Sequence, residues 1–117
     1  MELNIDQALQ QGDAAYNEGN VQNAERLYRA VLQAEPSHPH ANHKLGEVAV
    51  AVGKPLEAIP LFKLAVEAKP QIEQFWLSYI EALMRAQLFD EAERVVAKGE
   101  ESGVSPGKLE ILSLIHI

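Results

Sequence analysis

The chain has 117 residues, enough for one domain or a short repeat array and too few for two independent domains. With 47% hydrophobic and 23% charged residues, its composition is that of a folded chain and excludes a disordered one. A net charge of −7 excludes general nucleic-acid binding, and the absence of cysteine excludes disulfide frameworks, thiolate zinc sites and thiol catalysis and fits a reducing compartment.

The N-terminal run Met1-Glu-Leu-Asn-Ile-Asp6 carries acids and no basic leader, and no apolar run is long enough to span a bilayer. A cytoplasmic location without a membrane partner is the expectation. The first predicted helix covers residues 5–18, followed by the turn Gly19-Asn20, a second helix over 21–34, and Pro36. His38-Pro39 opens a third helix that runs to residue 52, with proline in the first turn, where its missing N–H costs nothing. Gly53-Lys-Pro55 breaks and restarts the chain. The fourth helix, 55–68, is expected to bury Leu56, Ile59, Phe62, Ala65 and Val66, with Leu61 and Leu64 widening that face, and Pro60 is expected to kink its start. After Pro70, residues 71–86 and 90–102 form the fifth and sixth helices, with Asp90 as N-cap and Gly103 as C-terminal stop. Ser105-Pro106 caps and starts a seventh.

The elements repeat. Gly12 and Gly46, Gly19 and Gly53, Ala24 and Ala58, Tyr28 and Phe62, and Pro36 and Pro70 are each separated by 34 positions. The next step turns Asn42 into Trp76, Ala58 into Ala92 and Phe62 into Val96, a third and more divergent copy. The chain closes on Leu112-Ser-Leu-Ile-His-Ile117, which matches the translation of a nucleotide sequence resembling the mosaic end of a transposase used for sequencing libraries. Residues 112–117 are therefore expected to be non-native, and sequencing across the genomic locus tests this.

Leu45-Gly46, Ala58, Phe62, Ala65 and Pro70 in the second copy, Gly12, Ala24, Tyr28 and Pro36 in the first, and Trp76 and Ala92 in the third resemble the signature of the tetratricopeptide repeat family. Gln11 and Ile80 depart from that signature. The resemblance implies an all-α fold, a right-handed α-solenoid of three helix-turn-helix repeats (5–36, 37–70 and 71–104) within an array 1–111, with a capping helix starting at 105. It further implies a concave groove made mostly by the first helix of each repeat, where a protein or peptide segment binds. In the 34-residue register that groove is lined by Asp6, Leu9, Asp13, Tyr16 and Asn17, then His40, His43, Glu47, Val50 and Ala51, then Gln74, Leu77, Glu81, Met84 and Arg85. Asp13, Glu47 and Glu81 form an equivalent acidic ladder beside an apolar row of Tyr16, Val50 and Met84, a pairing suited to a basic, amphipathic segment. The cationic clamp with which some family members hold the C-terminal carboxylate of chaperones is expected to be absent, since its places hold Leu9, Asp13, Lys44, Gln74 and Ser78.

No cofactor or catalytic activity is expected. His38, His40 and His43 read as surface histidines of a helix start, His43 and Glu47 lack a third metal ligand nearby, and Ser78, Ser102, Ser105 and Ser113 lack a local His/Asp context. No phosphate loop, nucleophile elbow or HExxH helix is present. The favoured function is a protein-interaction scaffold. The alternative is the N-terminal repeat portion of a larger bacterial enzyme, a glycosyltransferase, sulfotransferase or methyltransferase, whose own C-terminal domain would be the partner. Whether the native gene stops soon after Glu110 or continues separates the two.

Overall fold

The first three helices begin on a side-chain cap, and the turn that closes the first helix of each repeat recurs with the sequence period. In the computed structural model, which describes residues 4–105 and 107, six helices form among the described residues: α1 (Ile5–Asn17), α2 (Val21–Ala34), α3 (Pro39–Ala51), α4 (Pro55–Ala68), α5 (Glu73–Arg85) and α6 (Phe89–Glu101). Apart from Ser105 and Gly107, the expected capping helix and the tail 112–117 lie outside the described residues.

Asn4 caps α1 in a reciprocal pair with Gln7: the Asn4 side chain accepts from the Gln7 N–H, and the Asn4 N–H donates to the Gln7 side chain. Asn20 caps α2, and at α3 the Nδ1 of His38 accepts from the Ala41 N–H at 3.2 Å, ahead of Pro39. The turn inside each repeat carries one pair of hydrogen bonds three times over. Asn20 N–H donates to Ala15 C=O and Gly19 N–H to Tyr16 C=O, and the same bonds return at Lys54–Ala49 with Gly53–Val50 and at Leu88–Leu83 with Gln87–Met84. Each pair closes a helix through a left-handed residue. Gly103 ends α6 in the same way.

Two of those three turns place glycine in the left-handed region, Gly19 at φ 84° and Gly53 at φ 82°, whereas the third places Gln87 there at φ 64°. A side chain in that region is strained by about 1–2 kcal/mol, part of which glycine recovers. Gln87→Gly is expected to raise stability by about 0.5–1 kcal/mol, seen as a melting temperature higher by several degrees. The same turn corrects the expected start of α6. Leu88, not Asp90, occupies the cap position, because the backbone copies Gly19-Asn20 and Gly53-Lys54, and Asp90 falls in the first turn beside Glu91, where a negative charge still favours the helix.

Within repeats, close helix crossing rests on paired volumes. A Cβ on Gly12 would lie 2.7 Å from Cε1 of Tyr28, and one on Gly46 2.7 Å from Cδ1 of Phe62, too close for either to be anything but glycine with those rings in place. The third repeat exchanges the volumes: Ile80 replaces the glycine and Val96 the ring, both buried in the same cluster. That exchange accounts for the departure of Ile80 from the family signature. The α4 face is narrower than expected. Ala58, Phe62, Ala65 and Val66 are buried, but Leu56 and Leu64 are 64% and 41% exposed. Pro60 is exposed and α4 runs through it without interruption from Pro55 to Ala68.

Between repeats, the chain reverses at Pro36 and Pro70. The buried Asn42 amide donates to the Pro36 C=O at 3.1 Å, and Trp76 Nε1 donates to the Pro70 C=O at 2.7 Å, so two unlike side chains at equivalent positions perform one task. The α2–α3 and α4–α5 contacts then stack the pairs into a row, with principal extents of 48 × 26 × 19 Å.

Candidate functional site, a groove along the first helices

The stacking sets α1, α3 and α5 beside one another, with α3 touching both neighbours. Of the expected lining residues, Asp6, Asn17, Ala51, Gln74, Glu81 and Arg85 are exposed, whereas Leu9, Asp13, Tyr16, His40, Glu47, Val50, Leu77 and Met84 are half-buried. Tyr16, Val50 and Met84, the apolar row, pack partly against the core and leave the rest of their surface to the face. A pocket of about 170 Å³ opens there, lined by Tyr16 of α1, Glu47, Val50 and Ala51 of α3, Phe62 of α4, and Gln74, Ser78, Glu81 and Ala82 of α5. It unites residues from all three repeats. Asp6, Leu9, Asp13, Asn17, His40, Leu77, Met84 and Arg85 lie outside it.

His43 does not line the groove. It is buried at 5% exposure, with its ring centroid 4.6 Å from that of Phe75 and 5.5 Å from that of Phe62. The surface position expected for it is therefore wrong. Its equivalents by the repeat are Leu9 and Leu77, an apolar register that places this side chain between helices. His43 Nε2 lies 2.8 Å from Ser78 Oγ, and its Nδ1 is 3.5 Å from Glu47 Oε1. A carboxylate on the Nδ1 side favours the tautomer protonated there, in which Ser78 donates to Nε2, while Gln74 Nε2 donates to Ser78 Oγ at 3.2 Å. Burial holds His43 below the ordinary histidine range, an effect that Glu47 opposes and that Lys44 and His40 reinforce. The order Ser78, His43, Glu47 is that of a hydrolytic triad, but Ser78 stands in mid-helix, where the adjoining N–H groups are consumed by α5 itself and none is left to stabilise an oxyanion. The trio is a fastening between α3 and α5.

The acidic ladder is internally partnered at every rung. Asp13 Oδ1 accepts a short hydrogen bond from the Tyr28 hydroxyl, and its Oδ2 lies 3.2 Å from His40 Nε2, a contact that joins the first repeat to the second. Burial raises the Tyr28 hydroxyl well above its ordinary value, and the bond to Asp13 adds to this. Glu47 Oε1 is 3.2 Å from Lys44 Nζ, which in turn stands 4.3 Å above the Tyr16 ring. Glu81 Oε1 accepts from Arg85 NH2 at 2.9 Å and from Nε at 3.1 Å. Lys44 is expected from sequence only as the one cation among the clamp positions and not as the partner of Glu47, although its spacing of three from Glu47 on one helix is the signal for such a pair.

No three metal-binding side chains converge among the described residues, and no helix there is long and apolar enough to cross a membrane. No curated protein matches the chain. Solved structures do share its fold. The complex of the Sti1 TPR2B domain of yeast with pHsp70 superposes with a TM-score of 0.84 at 14% identity over 96% of this chain and 94% of that one. The Sgt2 TPR domain of Aspergillus fumigatus gives 0.82 at 21% over 96% and 76%. The first TPR of Spaghetti (RPAP3), bound to the HSP90 peptide SRMEEVD, gives 0.81 at 16% over 93% and 86%. The family model for the tetratricopeptide repeat matches residues 9–72 and again 43–102, the same two overlapping repeat pairs that the Gly–aromatic contacts and the recurring turns mark out. The chain belongs to the tetratricopeptide repeat family.

Proposed function

We propose that this chain is a non-catalytic interaction module that holds a basic, amphipathic protein segment along the face of α1, α3 and α5. The observation that carries this is the shared pocket, in which three repeats contribute apolar walls and two carboxylates to one depression on the surface. One solved structure of the same fold holds the HSP90 peptide SRMEEVD and another is a complex with pHsp70, which supports a peptide-holding role for the face. The charge here favours the opposite class of peptide. Asp6, Asp13, Glu47 and Glu81 outnumber Lys44 and Arg85 on it, and an acidic segment would meet a net excess of like charge.

Fluorescence anisotropy with a basic amphipathic peptide, its charge-reversed counterpart and SRMEEVD tests the reading. The basic peptide is expected to bind at least about tenfold tighter than either acidic one, and to weaken when salt is raised from 0.05 to 0.5 M as screening grows. Equal, weak binding of all three removes the proposal.

A further inference from the structure

We infer that the pocket at the α3–α5 junction is the anchor for one arginine side chain of the bound segment. This deepens the groove reading and rests on it. At about 170 Å³ the pocket is close in volume to a cavity of about 150 Å³ that admits benzene, and far below the several hundred Å³ of a cofactor site, so it takes one long side chain. Its walls divide by chemistry. Val50 and Ala51 offer apolar surface to an aliphatic stem, while Glu47 and Glu81 offer carboxylates and Ser78 and Gln74 offer neutral polar groups. Gln74 spends an N–H on Ser78 and Ser78 directs its hydroxyl at His43, so the polar rim is richer in acceptors than in free donors. No lysine, arginine or histidine lines it. A guanidinium, with five donors and no acceptor, is the complementary group.

The competing internal cations differ in strength. Lys44 reaches Glu47 from outside the pocket and is largely buried, so it stays. Arg85 pairs with Glu81 along the exposed surface of α5, with side chains 58% and 50% exposed, an arrangement that contributes little and yields readily. Asp13 is not part of the anchor, being held by Tyr28 and His40. The acidic ladder thus reduces to a single recognition point at its far end, with Glu81 as the carboxylate free to change partner.

The probes are N-acetyl-arginine methylamide and the citrulline analogue, of the same shape and no charge, titrated into the ¹⁵N-labelled full chain. The arginine compound is expected to give saturable shifts at the amides of Val50, Ser78, Glu81 and Ala82, and the citrulline compound to bind at least about fivefold more weakly. Glu81→Gln, an exposed change that leaves packing intact, is expected to weaken arginine binding about fivefold, and Arg85→Ala to strengthen it about twofold by freeing Glu81. Equal affinity for the two compounds, shifts centred elsewhere, no saturable shift, or indifference to Glu81→Gln overturns the anchor. If the basic peptide still binds in any of those cases, the groove reading stands without it; if that peptide also fails, both fall.

Discussion

Replacing Gly46 with alanine is expected to destabilise the chain by about 1–3 kcal/mol, read as a lower urea midpoint at unchanged slope. The new Cβ would lie 2.7 Å from Cδ1 of Phe62 and nearer still to Cε1, and Phe62, at 1% exposure, has no solvent side to move into. Either the ring leaves its rotamer or α3 and α4 part. The third repeat supplies the control, because Ile80 and Val96 fill the equivalent space with the bulk moved to the other helix. Gly46→Ile alone is expected to be worse than Gly46→Ala, whereas Gly46→Ile with Phe62→Val should recover much of the loss, with a coupling of more than about 1 kcal/mol in the double-mutant cycle. Additive effects would show that the two positions do not share one space.

Acidification supplies the other large effect. Burial depresses the titration of His43 in the folded chain, so above the ordinary histidine range the ring is neutral folded or unfolded and nothing is lost. As the pH falls below about 6.5 the unfolded chain takes up a proton that the folded chain resists, and stability drops by up to about 1.4 kcal/mol per pH unit from this group until the folded ring titrates too. The groups around it set the sign. Phe62 of α4 and Phe75 of α5 exclude water, Lys44 and His40 of α3 repel a second cation, and Glu47 opposes them without outweighing burial. His43→Leu, the residue at both equivalent positions, keeps an apolar side chain there and removes the proton. Urea unfolding at pH 7.5 and 5.5 is expected to show a smaller drop for His43→Leu than for the parent chain. Parallel curves would mean that His43 titrates alike folded and unfolded.

Much of the architecture is legible from period alone. Glycines, alanines and aromatics separated by 34 positions identify the helix pairs and the small-against-large crossings, because those depend on contacts inside one repeat. The site is less legible, because its character is set between repeats. Nothing local to Ser78 points to His43, which lies one repeat earlier, and nothing local to Asp13 points to His40. The carboxylate row is visible in sequence, but its hydrogen bond from Tyr28 and its ion pairs with Lys44 and Arg85 require knowing which side chains reach it. Asp90 misleads for a different reason: it is a good capping residue placed two positions beyond Leu88, where the backbone, copying its earlier turns, sets the cap.

The histidine contacts of α3 also govern how freely the units could be shuffled. The Gly–aromatic crossing travels inside a repeat and would survive duplication or exchange. The fastenings at the two junctions would not. A second copy of residues 37–70 inserted after the first would still offer His40 a carboxylate, since Glu47 is the counterpart of Asp13, but it would set Lys44 where Ser78 now receives the buried His43 ring. An ammonium drawn into that confined place would lose its water with no further carboxylate brought in to pair it, which makes a poor joint. The three units are alike enough to have one shape and different enough to have one order, so that lengthening this array demands a change at the seam as well as another copy of the part.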